Sequence, residues 1–405
     1  MRNRTTLASI DVGTTKVCTT IAEVNDGDVI RVAGVGITPS HGLHKGLVVN
    51  INDARESIRE SVSKAEKASG YRIESAFIGV TGRHVSSLNN RGVVAITRND
   101  RLVRSDDLKR VLQCAQSVKV PGDRKLLHII PRSYSVDGQP GVKNPVGMHG
   151  FRLDVETHVI TAAVASVQNL TKCIRGIGVD IEDLVLEPLA SSEAILTEDE
   201  KQVGGVMADI GGGTTDIAVF KDGSIWHTAI LPVAGYQLTR DVAIGLGLPF
   251  DVAEEMKKRY GSVMPVYEGQ ADPVSSLAED GHGASYQDLC DVLRARVEEI
   301  IRLILLELPR SEYEAMVPAG LVLTGGSSNL SGIDVLGRDI LRIPVRVGVP
   351  TNITGITDAL RDPAYATSAG LLLWGAKNQG KRTKTLGGFS ASLRHLMFRI
   401  KDLFR

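Results

Sequence analysis

Two short turns in this sequence have the residue types of phosphate-binding loops. Asp11-Val12-Gly13-Thr14-Thr15-Lys16 and Asp209-Ile210-Gly211-Gly212-Gly213-Thr214-Thr215 each place a carboxylate ahead of glycines and threonines. Glycines leave the backbone N–H groups unobstructed, and threonine hydroxyls add donors, so each turn can form a concave donor set for phosphate oxygens. An aspartate at the preceding strand end suits a hydrated Mg²⁺, which takes one or two carboxylates and completes its shell with water and phosphate. Either turn alone would suit an ordinary hairpin. Two with the same polarity and an Asp at the same offset can clamp the phosphates of a nucleotide from opposite sides. A third glycine pair, Gly325-Gly326-Ser327 in GLVLTGGSSNLSG, follows a strand-like run at 321–323 and allows close backbone approach to a flat base or ribose.

The elements that must hold these turns repeat as well. LASIDVGTTKVCTTIAEV near the N-terminus and VGGVMADIGGGTTDIAVFKDG from Val203 both read as apolar run, turn, apolar run, the pattern of a hairpin. A repeat about two hundred residues apart implies two similar halves, since solenoid periods are ~20–50 residues. Helical patterns are predicted at 52–69, 105–117, 166–177 and 286–308, and strands at 76–80, 92–96, 159–163 and 321–323. Their alternation is that of an α/β protein. Residues 84–162 are rich in short strands and turns and read as an inserted α+β subdomain. Residues 378–388, with Lys, Gly and Thr, read as a flexible linker. GAKNQGKR nearly spells a P-loop, but Arg382 stands where Ser or Thr is required and the preceding run is helical, so it is set aside.

The 405 residues allow two to four domains, and 42% hydrophobic with 23% charged residues is ordinary for a globular protein. Aromatic content of 4% speaks against a stacking surface for nucleic acid. Four cysteines (Cys18, Cys114, Cys173, Cys290) form no C-x-x-C pair and read as free buried thiols. No signal-peptide pattern and no apolar run of spanning length is present, which leads to the expectation of a cytoplasmic chain. Net charge is zero but uneven: the stretch from Lys381 to Arg405 holds seven Lys/Arg and one acidic residue, so a body of −6 carries a tail of +6.

That tail ends in GFSASLRHLMFRIKDLFR. At helical spacing Phe389, Leu393, Leu396, Met397, Ile400, Leu403 and Phe404 share a stripe of about 120°, with Arg394, Lys401 and Arg405 opposite and Arg399 flanking it. Such a stripe usually docks on a protein's own core. Its terminal place, the polar linker and the excess of basic residues suit the headgroup region of an anionic membrane instead.

Taken together, the two phosphate turns and the Gly-Gly motif resemble the actin, sugar-kinase and DnaK-type superfamily. Within it, VGGVMADIGGGTTDIAVFKDG, LLHIIPRSYSVDGQPGVKNPVGMHG, LVLEPLASSEAILTEDE, LVLTGGSSNLSGI and NITGITDALRDPAYATSAGLLLWG resemble the FtsA family of bacterial cell-division proteins nearly end to end. The block around 143–147 is the most telling, because it lies in the insertion that other superfamily members lack at this place. The resemblance implies an actin-like (ribonuclease H-like) two-domain fold, α/β, with subdomain 1C in place of actin subdomain 1B. The implied divisions are 1A at 1–83, 163–199 and 357–377; 1C at 84–162; 2A at 200–238 and 309–356; 2B at 239–308; a linker at 378–388 and a membrane-targeting helix at 389–405.

Carried over by position, the resemblance makes Asp11, Gly13, Thr14, Thr15 and Lys16 the first phosphate motif. It makes Asp209 and Gly211, Gly212, Gly213, Thr214 and Thr215 the second, and Gly325, Gly326 and Ser327 the adenosine motif. Glu254 and Lys257 look like the pair flanking the adenine, one helical face apart at i,i+3. ATP and Mg²⁺ are the implied ligands, with Asp11 and Asp209 on the metal. Glu187, before Pro188, resembles the water-positioning glutamate of MreB, so Glu187 and Asp209 are the candidates for ATP hydrolysis. Arg296 and Glu299 match positions of a surface that binds the C-terminal peptide of FtsZ. The implied role is a peripheral adaptor on the cytoplasmic face of the membrane that tethers FtsZ, self-associates into filaments and recruits later division proteins. A PilM-like pilus adaptor and a small-molecule kinase of the same superfamily are the alternatives.

Overall fold

The computed structural model describes residues 5–24, 29–117, 120–266, 285–308, 317–356 and 358–386, with side chains through 378. The N-terminal half begins with an antiparallel meander, β1 (Thr5–Val12), β2 (Lys16–Val24) and β3 (Ile30–Pro39). A small hairpin follows, β4 (Leu43–His44) and β5 (Leu47–Val48), then α1 (Ile51–Ser69) and β6 (Ser75–Val80). Helix α1 starts where the Asn50 side chain accepts from the N–H groups of Asn52 and Asp53, and stops at Gly70 with φ 74°. Both are the expected termini for a helix with a side-chain cap and a left-handed end.

The chain then leaves this half and builds β7 (Val85–Ala95), α2 (Ser105–Gln116), β8 (Arg124–Val136), β9 (Gln139–Val142) and β10 (Arg152–Ala163). These strands form a four-stranded sheet of order β7-β10-β8-β9. Ile96, Val103, Val111, Ala115, Val136, Leu153 and Val155 give it a core of its own. Helix α2 can lie close on β7 because a Cβ at Gly92 would sit 2.3 Å from the Val111 carbonyl oxygen. This sheet also rests on the second half. Ser87 Oγ donates to the Thr228 carbonyl at 2.9 Å, and the buried His158 ring meets Thr228 Oγ1 at 2.9 Å.

The chain returns through α3 (Val164–Arg175), β11 (Asp180–Leu186), α4 (Glu187–Ile195) and α5 (Glu198–Val203). The second half repeats the first: β12 (Gly205–Ile210), β13 (Thr215–Lys221) and β14 (Ser224–Leu231) form a meander. Helices α6 (Gly235–Gly245), α7 (Phe250–Tyr260) and α8 (Tyr286–Glu307) come next, then β15 (Leu321–Thr324), the helix Ile333–Leu341, β16 (Val345–Val347) and β17 (Ile353–Gly355). One sheet runs β11-β6-β1-β2-β3-β17 and the other β14-β13-β12-β15-β16. In both, the first meander strand (β1 or β12) pairs antiparallel with the second and parallel with a later strand, β6 or β15, that follows a helical connection. The duplicated turns of the sequence are thus equivalent corners of two equivalent sheets.

A last helix, Ala366–Leu386, locks the halves together. It crosses α4 with backbone contact: a Cβ at Gly370 would fall 1.8 Å from the Ala190 carbonyl oxygen. This helix corrects one expectation, because it continues through most of the predicted linker at 378–388. Lys, Arg, Gln and Leu are good helix formers, and one glycine, Gly380, does not outweigh them. The near-P-loop segment lies within it and forms no loop. Three cysteines are buried as expected, whereas Cys114 is exposed on α2; all four are free thiols. Among the described residues no helix is long and apolar enough to cross a membrane. The predicted amphipathic helix at 389–405 lies outside the described residues.

Candidate functional site

The two phosphate turns meet face to face between the halves. Strand pairing ends at Val12↔Val17 in the first and at Ile210↔Thr215 in the second, which leaves tight turns at the sheet corners. A Cβ at Gly212 would stand 2.3 Å from Thr15 Cγ2, and one at Gly213 would stand 2.5 Å from Thr14 Oγ1. Glycine is therefore required at both positions for the turns to approach. The opposing threonines Thr14 and Thr15 sit where the turns come together.

Four carboxylates lie beneath the turns. Asp11, near the end of β1, accepts from Ser368 Oγ at 2.8 Å. Asp209, at the matching place on β12, accepts from Ser191 Oγ at 2.9 Å and Thr367 Oγ1 at 3.2 Å. The first turn of the last helix thus holds one aspartate of each half through adjacent residues. Glu187 opens α4 ahead of Pro188, a first-turn position where the missing N–H costs nothing. Room for its side chain comes from Gly79 on β6, whose Cβ would stand 3.1 Å from Glu187 Oε1. Asp216, the cross-strand partner of Asp209, accepts from the hydroxyls of Thr81 and Thr214.

Burial makes all four reluctant to ionise. It raises Asp11, against the pull of Lys16 and the Ser368 hydroxyl. It lifts Asp209 to about 6, and Asp216 to about 8 with the help of Asp209's charge. Glu187 is pushed well above its usual range by burial and then by Asp11, Asp216 and Asp209. Lys16 lowers Asp11, Asp209 and Glu187 by its charge, and its ammonium already donates to the Ala364 carbonyl and lies 4.6 Å from the Tyr365 ring centre. A cluster this acidic is made for an added cation. Among the described residues no three His, Cys, Asp or Glu side chains are disposed as a metal cage. One carboxylate at each turn, Asp11 and Asp209, is a donor set that suits Mg²⁺, which binds with few protein ligands and several phosphate and water oxygens.

The Gly-Gly motif joins this site directly. Gly325 has φ 84°, and a Cβ there would lie 2.3 Å from Asp209 Oδ1, so the motif backs onto that aspartate. Ser327 Oγ donates to the Gly211 carbonyl at 3.0 Å. The start of α6 closes the same corner, with Gly235 N–H donating to Gly211 O and Tyr236 N–H to Gly212 O. Glu254 and Lys257 stand behind it. Lys257 is buried, and its ammonium donates to Glu254 Oε2 and Thr239 Oγ1 at 2.7 Å each and lies 3.3 Å from Gly235 O. Burial lowers the Lys257 ammonium, and the Glu254 charge opposes that fall.

The structure therefore brings together Asp11, Gly13 to Lys16, Glu187, Asp209, Gly211 to Thr214, Gly325 to Ser327 and the Glu254–Lys257 pair. Thr215 departs from expectation. Its hydroxyl donates to the Val233 carbonyl at 2.7 Å and is fully buried, which removes it from the phosphate donors. Arg296 and Glu299 are remote, on α8, where Arg296 also pairs with Asp241 of α6 and so ties two helices. Asp216 was missed by sequence reasoning, although its spacing of seven from Asp209 across a hairpin was a usable signal. Ser191, Thr367 and Ser368 gave none, since only the crossing of two distant helices brings them to the aspartates.

Comparison with known proteins bears on the family of the chain. A family model described as "Cell division protein FtsA" matches residues 206–370, and one described as "SHS2 domain inserted in FTSA" matches residues 82–161. FtsA of Pseudomonas aeruginosa is 44% identical over 376 residues, covering 92% of this chain and 90% of its own length. FtsA of Neisseria meningitidis is 39% identical over 378 residues (92% and 91%), and that of Escherichia coli K12 is 33% identical over 386 (93% and 91%). Among solved structures, one from the PilM–PilN type IV pilus biogenesis complex superposes with a TM-score of 0.67 at 17% identity, covering 91% of this chain and 98% of that one. MreB5 of Spiroplasma citri bound to ADP gives 0.55 at 14% identity, covering 94% and 98%. These structural likenesses establish an actin-like fold. With the sequence relatives, they show that this chain belongs to the FtsA family of cell-division proteins.

Proposed function

We propose that the chain binds ATP with Mg²⁺ in the cleft between its halves and acts as a nucleotide-gated adaptor in cell division. The observation that carries this reading is the meeting of two glycine-threonine turns over four buried carboxylates, a site with donors for phosphate and a deficit of cations. Asp11 and Asp209 would hold Mg²⁺ through water, and the metal would supply charge neutralisation for phosphate oxygens. The backbone N–H groups of 13–15 and 212–214 would cradle the phosphates. Gly325, Gly326 and the Glu254–Lys257 pair would bound the adenosine. Glu187 would orient an attacking water, a task it can perform only when added cations draw its carboxyl back toward ionisation. Calorimetric titration of the full chain with ATP, with and without Mg²⁺, tests the site. Absence of Mg²⁺-dependent ATP binding would refute it.

The adaptor reading adds three contacts. The segment at 389–405 binds anionic lipid at the cytoplasmic face of the membrane, α8 with Arg296 and Glu299 receives the FtsZ C-terminal peptide, and copies of the chain associate as actin-like filaments. Through these contacts the chain tethers FtsZ and recruits later division proteins. Support comes from family membership and, for the lipid contact, from the +6 tail. Flotation with anionic vesicles should lose a chain ending at Gly380; undiminished binding would sink the lipid contact. The PilM-type fold neighbour keeps a second reading in view, a pilus-assembly adaptor. Pull-down by an FtsZ tail peptide against a pilus-protein peptide separates the two.

A further inference from the structure

The hairpin β4–β5 has a feature that its size does not explain. Its two turn residues, Lys45 and Gly46, both have positive φ, 49° and 74°. Two consecutive positive values are the signature of a type I′ turn, in which Asn-Gly is the favoured pair because Asn tolerates the left-handed region. Here a lysine stands in the first place. The turn lies at the point where the phosphate turns meet. Gly46 N–H donates to Thr14 Oγ1 at 3.2 Å, and a Cβ at Gly213 would come within 3.0 Å of Lys45 Cα. A Cβ at Gly46 would stand 3.0 Å from Gly82 Cα and from the carbonyl oxygen of Thr81, whose hydroxyl donates to Asp216. The preceding residue, His44, packs edge-on against Tyr236 of α6, with ring centres 6.0 Å apart. A hairpin of the first half thus straps the cleft and touches both phosphate turns and the second half.

The strap delivers a cation. Lys45 forms no ion pair and no side-chain hydrogen bond among the described residues. Its backbone is held next to Thr14 and Gly213. The adenosine motif and the Lys257 pair engage the other end of the second turn, at Gly211 and Gly235. A nucleotide laid along that turn with its base toward Ser327 would bring its last phosphate toward Lys45. Lysine binds phosphate as a point charge.

We propose that Lys45 is a positioning residue for the outermost phosphate, so that the β4–β5 strap closes more firmly over a nucleoside triphosphate than over a diphosphate. This rests on the nucleotide-binding reading above and adds a discrimination between the two nucleotides. The deciding experiment compares full-length wild type, Lys45→Gly and Lys45→Arg by titration with Mg²⁺-AMPPNP and Mg²⁺-ADP. Glycine suits the positive φ better than lysine, so Lys45→Gly removes the ammonium and leaves the turn intact.

The expected result is a loss of roughly tenfold or more in AMPPNP affinity for Lys45→Gly, the range for one charge-assisted hydrogen bond. ADP affinity should change by less than about twofold, and Lys45→Arg should retain most of the preference. Equal weakening of both nucleotides, or weakening of neither, would overturn the assignment of Lys45 while leaving nucleotide binding in place. Failure of the wild type to bind either nucleotide would overturn both readings.

Discussion

Removing one negative charge from the cleft should make the nucleotide-free protein more stable while removing its ligand. Asp209 is buried, and its carboxyl is raised from 3.8 to about 6, first by burial and then by Asp11, against the hydrogen bonds from Ser191 and Thr367. A carboxyl that holds its proton more tightly in the folded state than in the unfolded state adds stability at low pH. That stability is full below pH 4 and is lost as pH rises through the folded-state value. The rise is about two pH units. At 1.36 kcal/mol each, ionised Asp209 costs the folded state about 3 kcal/mol above pH 6. Asparagine keeps an acceptor for Ser191 and Thr367 and carries no charge. Asp209→Asn should therefore raise the melting temperature of the nucleotide-free chain at pH 7.5 by roughly 3–6 °C. The gain should vanish near pH 4, and the stabilisation by Mg²⁺-ATP expected of the wild type should be absent. Scanning fluorimetry from pH 4 to 8.5, with and without ligand, reads all three. A variant that melts lower than wild type at pH 7.5, or a wild-type melting temperature flat across this range, would refute the account of a cleft strained by its own carboxylates.

Other outcomes follow from the packing. Gly212→Ala should part the two turns, because the new methyl would meet Thr15 Cγ2 at 2.3 Å; nucleotide affinity should fall at least tenfold by titration while the melting temperature shifts by no more than about 2 °C. Gly370→Ala drives a methyl into the Ala190 carbonyl at the helix crossing, and denaturant unfolding should show a loss of about 2–3 kcal/mol. Between pH 6 and 8 the metal-free protein should lose further stability, because Asp216, raised to about 8 by burial and Asp209, still holds its proton in the folded state while the unfolded carboxyl is ionised; the loss should level off above pH 8. A Mg²⁺-free melting profile level between pH 6 and 8 would contradict that. Arg296→Glu should weaken binding of an FtsZ tail peptide at least fivefold by fluorescence anisotropy, and would also break the tie between Arg296 and Asp241, so a melting curve accompanies it.

The phosphate turns were legible in the sequence because a hairpin corner is a local structure. Asp, Gly and Thr at fixed offsets decide the turn, and the turn decides where the N–H groups point, whatever lies elsewhere. The repeat of that pattern near Asp11 and Asp209 carried the duplicated fold with it, and the 84–162 insertion announced itself by its density of short strands. Helix α1 was likewise bounded by its own Asn50 and Gly70. The predicted linker is helical for a local reason too: Lys, Arg and Leu around Gly380 favour helix, and a polar composition does not by itself make a segment flexible.

Other features depend on contacts between distant parts of the chain. Thr215 looks like a phosphate donor in its motif and is not one, because the fold offers its hydroxyl the Val233 carbonyl. Glu254 and Lys257 look like a solvated pair on a helix, and only the packing of α7 against α6 buries the lysine against Thr239. Ser368 reaches Asp11 and Thr367 reaches Asp209 because Gly370 lets one helix cross another in backbone contact. The sequence by itself determined the two donor turns and their acidic heads, since backbone conformation there depends on neighbours one to four residues away. Only the tertiary structure decided that four carboxylates would share one buried volume, since the charge each must suppress comes from strands and helices as much as two hundred residues distant.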